Sequence, residues 1–275
     1  MIELPEATNL AAQFNQAVKG RSIGRVVAGH SPHKWAWFHG DPKGYADLLT
    51  GRTIGRATAY GGLVEIEVEP ARLRFGEGVS LRLHAAGQPV AATHQLLLEL
   101  DDGSALSGSV QMYGGLWAFL PDQFRNAYHD RARQAPSPLS AAFTAAYFAD
   151  LAAGPKANKL TAKALLATEQ RIPGLGNGVL QDILFEARIH PRHRVADLSA
   201  RQWQDLYGAV RSVLAAMVRQ GGRDTERDLF GHPGGYQTRL SRNTVGKPCP
   251  RCGEAIRKES YLGGAVYTCA RCQPL

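Results

Sequence analysis

PCPRCG at residues 248–253 and TCARCQ at residues 268–273 decide how this chain is read, because between them they hold all four of its cysteines. Cys249 and Cys252 form one tight pair, Cys269 and Cys272 the other, with sixteen residues between the pairs. Each pair on its turn presents two sulfurs to one side, and four thiolates so arranged surround one tetrahedral zinc ion. The alternative, two disulfides in a secreted protein, lacks a signal peptide to support it. Gly253 and Gln273-Pro274 supply turn and end signals, and Ala265–Thr268 reads as a short strand. The expectation is a two-stranded zinc ribbon, one zinc per chain, too small to fold without its metal. Four cysteines close the coordination shell, so the role of the zinc is structural.

Outward from the ribbon, the charge is uneven. The chain of 275 residues is 44% hydrophobic and 20% charged, with a formal net charge of +8. Residues 1–155 hold 13 basic and 14 acidic side chains, whereas residues 156–275 hold 19 and 10. All the excess lies in the C-terminal part, which points either to a nucleic-acid partner or to a solvated basic face. The opening MIELPEATNL has no basic segment leading into an apolar run, and no stretch approaches the roughly 18 apolar residues of a membrane span. An unanchored cytoplasmic protein is expected.

Helical periodicity marks residues 160–169, 177–188 and 199–219, and Arg171-Ile-Pro-Gly-Leu-Gly-Asn177 leads into the second of these. Gly174 and Gly176 allow the backbone to approach a ligand closely, Asn177 caps or donates, and the N–H groups that follow suit a phosphate. An inter-helix turn has the same pattern. Earlier in the chain, residues 2–17 space Leu4, Ala7, Leu10, Ala11, Phe14 and Ala17 as one amphipathic helix. From Ile23 to about Phe119 the pattern is of short strands: Ile23–Ala28, Ile54–Ala59, Leu63–Val68, Val79–Leu83, Gln95–Leu100, Ala105–Val110 and Leu116–Leu120. Residues 121–159, with Pro136-Ser137-Pro138, read as a connection plus a first helix. The predicted class is α+β and multidomain: an N-terminal helix and antiparallel β-sandwich (1–125), a helical domain (126–240) and the zinc finger (241–275), with a cleft between the halves.

Taken together, Gly174-Leu-Gly-Asn177 with Ile189-His-Pro191 behind it, the two cysteine pairs, and the opening Glu3-Leu-Pro-Glu6 resemble the bacterial formamidopyrimidine-DNA glycosylase and endonuclease VIII family of base-excision repair. The order of parts is similar over the whole length: helix, β-sandwich, helix-two-turns-helix element, zinc finger. The resemblance implies a monomer in the bacterial cytosol and nucleoid that binds lesion-containing double-stranded DNA, bends it and flips the damaged nucleotide into a pocket. It implies DNA contacts for Asn177, for Gly176 in the same loop, and for Lys163, which stands where the family often carries a phosphate-binding lysine. It also places Glu3 as principal acid or base of the chemistry, with Glu6 close behind it.

Several positions depart from the family. Its nucleophile is a proline after the initiator methionine, and here that residue is Ile2. The candidate amine becomes that of Met1, up to about 3.8 Å further out. The phosphate-contacting strand lysine is missing at Tyr60-Gly61-Gly62, and Gly264 stands where the zinc-finger arginine belongs. The residues that fill the space of the extruded base align with Glu77 and with Met112-Tyr113-Gly114, and the usual methionine, arginine and phenylalanine are not there. Without the resemblance, Glu3 and Glu6 read as first-turn helix stabilisers. The tryptophans of His30-Ser-Pro-His33-Lys-Trp35-Ala-Trp37-Phe-His39 read as core or pocket wall, or else as a base-stacking surface. His190 reads as a helix-end residue. Gly221-Gly222-Arg223-Asp-Thr-Glu-Arg227 and Pro233-Gly-Gly-Tyr236 read as phosphate donors or as polar linker. Three functions follow: a glycosylase, by Glu3-activated water or a Met1 Schiff base with the usual lyase weak or absent; a catalytically silent binder of lesions or distorted duplex; or a zinc-ribbon protein that binds RNA or another protein.

Overall fold

A computed structural model describes residues 1–153 and 159–275. Residue 155, where the charge changes sign, lies outside them. After the N-terminal helix α1 (Leu4–Ala17) come β1 (Ile23–Ala28), β2 (Ala36–Trp37), a short α2 (Tyr45–Leu49), β3 (Ala57–Tyr60), β4 (Leu63–Val68), β5 (Ala71–His84), β6 (Leu96–Leu100) and β7 (Ala105–Phe119). The second half contains α3 (Ala127–Gln134), α4 (Ala145–Asp150), α5 (Ala162–Ala167), α6 (Leu180–Glu186) and α7 (Ala200–Arg219), followed by the hairpin β8 (Arg257–Tyr261) and β9 (Gly264–Thr268).

The strand order is β1-β6-β7-β5-β4-β3, antiparallel throughout, with β2 added in parallel to β7. Two long strands are shared by both layers of the sandwich. Residues 72–77 of β5 pair with 114–119 of β7 beside β4, and residues 79–84 pair with 105–110 beside β6. Between these two stretches the register shifts: Glu77 faces Gly114 but Val79 faces Val110, so Gln111, Met112 and Tyr113 bulge out opposite Gly78. A side chain on Gly78 would overlap the Tyr113 carbonyl oxygen, which requires glycine at that crossing. This corrects the sequence reading. The separate runs Ala105–Val110 and Leu116–Leu120 are one strand, and Val79–Leu83 is the second half of another, because glycine marks a bulge here and not a strand end.

A second correction concerns the tryptophans. Trp35 and Trp37 are 51% and 44% exposed and belong to neither core. Trp37 ends the two-residue strand β2, which pairs only with β7, and Trp35 precedes it.

Three apolar clusters hold the chain. Ala7, Leu10, Ala11 and Phe14 of α1 pack on Val64, Ile66, Leu73 and Phe75 of the sheet. Leu165, Leu166, Ile183, Leu184, Val210 and Leu214 unite α5, α6 and α7. Phe185, Leu240 and Ile256 join the cysteines of the ribbon. Among the described residues, no helix is long and apolar enough to cross a membrane.

Candidate functional site

The start of α1 sits between the two halves, and the loop before α6 clasps it. The Leu4 N–H donates to the Gly174 carbonyl at 2.8 Å. In return, the Glu3 carboxylate accepts the Gly178 N–H on Oε1 and the Val179 N–H on Oε2, each at 2.8 Å. Gly176 makes this approach possible, since a Cβ there would stand 2.7 Å from Glu3 Oε1. The loop expected to cradle a phosphate thus binds a carboxylate of its own chain with the same N–H groups.

Arg223 completes the arrangement. It is 2% exposed, grips Glu6 through Nε at 3.0 Å and Nη2 at 2.7 Å, and places Nη1 3.5 Å from Glu3 Oε2. A side chain at Gly178 would overlap that Nη1. Burial pushes the Glu3 carboxyl above its ordinary value, opposed by the Arg223 charge and the two N–H donors. Glu6 also reaches back to the Glu3 N–H at 3.2 Å, fixing the first turn of the helix. The Met1 amine is paired with Glu226 of the loop after α7. Of the stretch 221–227 read as phosphate donor or linker, Arg223 is therefore a buried counter-ion. Its partner Glu6 lies 217 positions away, a pairing with no local sequence signal.

A cavity of about 470 Å³ opens above this cluster. Its wall includes Met1, Ile2 and Glu3, Glu77 and Tyr113 from the β-bulge, and Tyr128 of α3. Lys163, Gly176 and Asn177 close the helical side, and Leu262–Ala265 of the ribbon turn closes the far side. An adjoining cavity of about 310 Å³ shares Met1, Ile2 and Met112 and carries Arg82, Arg227 and Arg242. The structure thus brings Met1, Glu3, Lys163, Gly176 and Asn177 together around one space, with Glu6 one layer behind.

Two of the three expected DNA contacts, the side chains of Asn177 and Lys163, donate within the chain. Asn177 Nδ2 donates to the Ala265 carbonyl at 2.9 Å, and Lys163 Nζ to the Tyr261 carbonyl at 2.5 Å. Burial lowers the Lys163 ammonium from its ordinary value. Gly264 adjoins Asn177, with room for no more than a close contact at 3.2 Å. His190 is buried past the end of α6, its Nδ1 accepting the Arg192 N–H at 3.2 Å.

The four cysteines converge. Their sulfurs all lie within 4.8 Å of one another, with Cys249 and Cys272 at 3.8 Å and Cys252 and Cys269 at 3.4 Å. Tetrahedral ligands about 2.3 Å from a zinc ion stand about 3.8 Å apart, so the set fits a metal. Four thiols this close cannot all ionise alone: hydrogen bonds lower Cys252 to about 7, and burial with its neighbours pushes Cys272 up to about 12. A divalent cation removes that conflict.

A helix-clasped N-terminus, a sandwich crossed by two long strands and a four-cysteine ribbon over a helical core define a class of helix-two-turns-helix proteins. The domain described as the formamidopyrimidine-DNA glycosylase H2TH domain matches residues 134–228. Formamidopyrimidine-DNA glycosylase of Symbiobacterium thermophilum is 30% identical over 280 positions, covering 100% of this chain and 90% of that protein, and the Vibrio vulnificus protein of the same name is 30% identical over 227. The chain belongs to the formamidopyrimidine-DNA glycosylase family. The crystal structure of MutM (Fpg) from Thermus thermophilus superposes with a TM-score of 0.80 at 27% identity, covering 98% of each chain. The Lactococcus lactis Fpg in complex with abasic-site DNA shares the fold, with a TM-score of 0.83 at 22% identity over 99% of this chain and 100% of that one.

Proposed function

We propose that the chain is a base-excision-repair glycosylase that acts on damaged double-stranded DNA, extruding one nucleotide into the cavity above Glu3. The observation that carries this reading is that cavity, about 470 Å³ with a buried carboxyl in its wall, in a chain related over its whole length to proteins named for this activity. Its volume is in the range that small-molecule sites use. Glu3 takes a proton from the water that attacks C1′. Glu6 acts behind it by holding Arg223. Ile2 offers no secondary amine, and the Met1 amine is engaged by Glu226, which favours water over a Schiff base and makes strand cleavage weak or absent. Zinc on Cys249, Cys252, Cys269 and Cys272 holds the ribbon and leaves no open position for chemistry. Asn177, Lys163 and Gly176 form the phosphate side of the cleft, and the cytosol and nucleoid are the place of action.

Glu3→Gln is expected to lower base release at least about a hundredfold while sparing duplex binding. The measurement is product cut only after alkali, run beside borohydride trapping. Trapped product in wild type would assign the amine instead. Absence of product above the Glu3→Gln background, over oxidised, alkylated, deaminated and abasic duplexes, would leave a lesion-binding protein without catalysis.

Binding has its own test. With the positive charge in the C-terminal part, duplex affinity is expected to fall steeply between low and physiological salt, and Asn177→Ala to weaken binding by a similar factor for all sequences. A flat salt dependence removes the electrostatic argument, and unchanged binding in the variant removes Asn177.

A further inference from the structure

Glu77 is the carboxyl of this cavity that forms no ion pair with any described residue. It sits at the β5 bulge with a φ of 42°, a left-handed conformation that side chains other than glycine seldom adopt, and such strain collects at functional sites. Its carbonyl accepts the Ile2 N–H at 2.5 Å, which ties the bulge to the N-terminal segment that carries Glu3. Glu77 and Glu3 line the same cavity with different surroundings. Glu3 has a guanidinium and two N–H donors against it. Glu77 shares the bulge and the cavity wall with Tyr113 and has no ion pair with any described residue, and burial pushes its carboxyl up. The other titratable groups around it are the Met1 amine, the Tyr128 phenol, pushed up to about 12 by burial, and Lys163 across the cavity.

Two carboxyls in unlike environments around one glycosidic bond divide into an acid and a base. We propose that Glu77 is the general acid of this site, delivering a proton to the base as it leaves C1′ of the extruded deoxynucleotide. The inference rests on the glycosylase reading above. In that step the water oxygen bonds to C1′ and gives a proton to Glu3, the C1′–N bond breaks with its electron pair on the departing base, and the Glu77 proton goes to that base. Transfer of the Glu3 proton to Glu77 through water restores both groups.

The test is Glu77→Gln in the full chain with its metal, under single-turnover conditions, on whichever of 8-oxoguanine, thymine glycol and uracil duplexes the wild type processes and on a 7-methylguanine duplex. A cationic 7-methylguanine leaves as a neutral base and needs no proton. The variant is expected to lose about a hundredfold or more on the neutral bases, to lose much less on 7-methylguanine, and to lose the fall in rate at alkaline pH that a protonated acid produces. Its melting temperature and its binding to duplex with a tetrahydrofuran abasic analogue should match the wild type. Equal losses on both kinds of base with the alkaline fall retained would reduce Glu77 to a part of the cavity wall and overturn the proposal. Full activity in Glu77→Gln beside an inactive Glu3→Gln would overturn it alone. No base release by the wild type on any of these duplexes would overturn the glycosylase reading and this proposal with it.

Discussion

Replacing Arg223 with methionine is expected to destabilise the protein by about 3–5 kcal/mol at neutral pH, since breaking a buried ion pair leaves uncompensated charge in the interior. Against a typical total of about 5–15 kcal/mol, that is a large share, and the melting temperature should fall by roughly 10 °C. Arg223 is buried with both Glu3 and Glu6, and its side chain also donates to the Met1 carbonyl at 3.4 Å, so the loss loosens the whole clasp. The sign with pH follows from Glu3. Its carboxyl stands above its ordinary value in the folded chain even with the guanidinium present, and removing that cation raises it further. A carboxyl raised on folding costs stability as pH rises from its unfolded value, near 4.5, through its folded one. The deficit of Arg223→Met relative to wild type should therefore be largest at pH 7 and shrink as pH falls toward 4.5. Adding Glu3→Gln and Glu6→Gln to the variant should recover stability, because no charge is then left unpaired. A deficit independent of pH, and unrelieved by the two glutamines, would assign the loss to packing.

That clasp is also where the sequence is least legible. β1 and β4 are legible to the residue as short runs, β4 through its alternation, and the ribbon through its cysteine spacing, since these signals are local. The pairing of Glu6 with Arg223 is not local, and a polar stretch such as Gly221-Gly222-Arg223-Asp-Thr-Glu-Arg227 carries no mark of burial. Glycine misled in the opposite way. Gly76, Gly78, Gly114 and Gly115 punctuate the sequence like turns, yet they let β5 and β7 cross closely and run on, which places Glu77 and Tyr113 in the cavity wall. Glu3 and Glu6 could be picked out as candidates from a family resemblance, but the N–H groups that hold Glu3 belong to the loop that the same resemblance assigned to DNA phosphate. Asn177 shows the same limit: its place in the loop was legible, and its bond to a ribbon carbonyl was not.

Removing the metal should have the larger consequence for DNA. Structural zinc in small fingers contributes on the order of 10–16 kcal/mol, more than a ribbon this size can replace from its own core. That core is three apolar side chains, Phe185, Leu240 and Ile256, around the cysteines, and one of the three comes from α6. Cys269→Ser, or chelation of the wild type, is therefore expected to unfold β8 and β9 while the sheet and its helix α1 stay folded, because their cluster shares no residue with the ribbon. The effect then travels through three side chains. Asn177 and Lys163 lose the Ala265 and Tyr261 carbonyls that orient them, and Gln181 loses both its bond to Ala265 and the Tyr267 N–H it accepts at 3.0 Å. One face of the cavity opens at the same time, since Leu262–Ala265 form its far wall. Elemental analysis should give one zinc per chain in the wild type and none in Cys269→Ser. Duplex affinity at physiological salt should fall at least tenfold in the variant, with a shallower salt slope, while the thermal transition of the β half is retained. Metal-free protein, freshly purified and still binding duplex at full strength, would sink both the zinc and the part the ribbon is given in holding DNA.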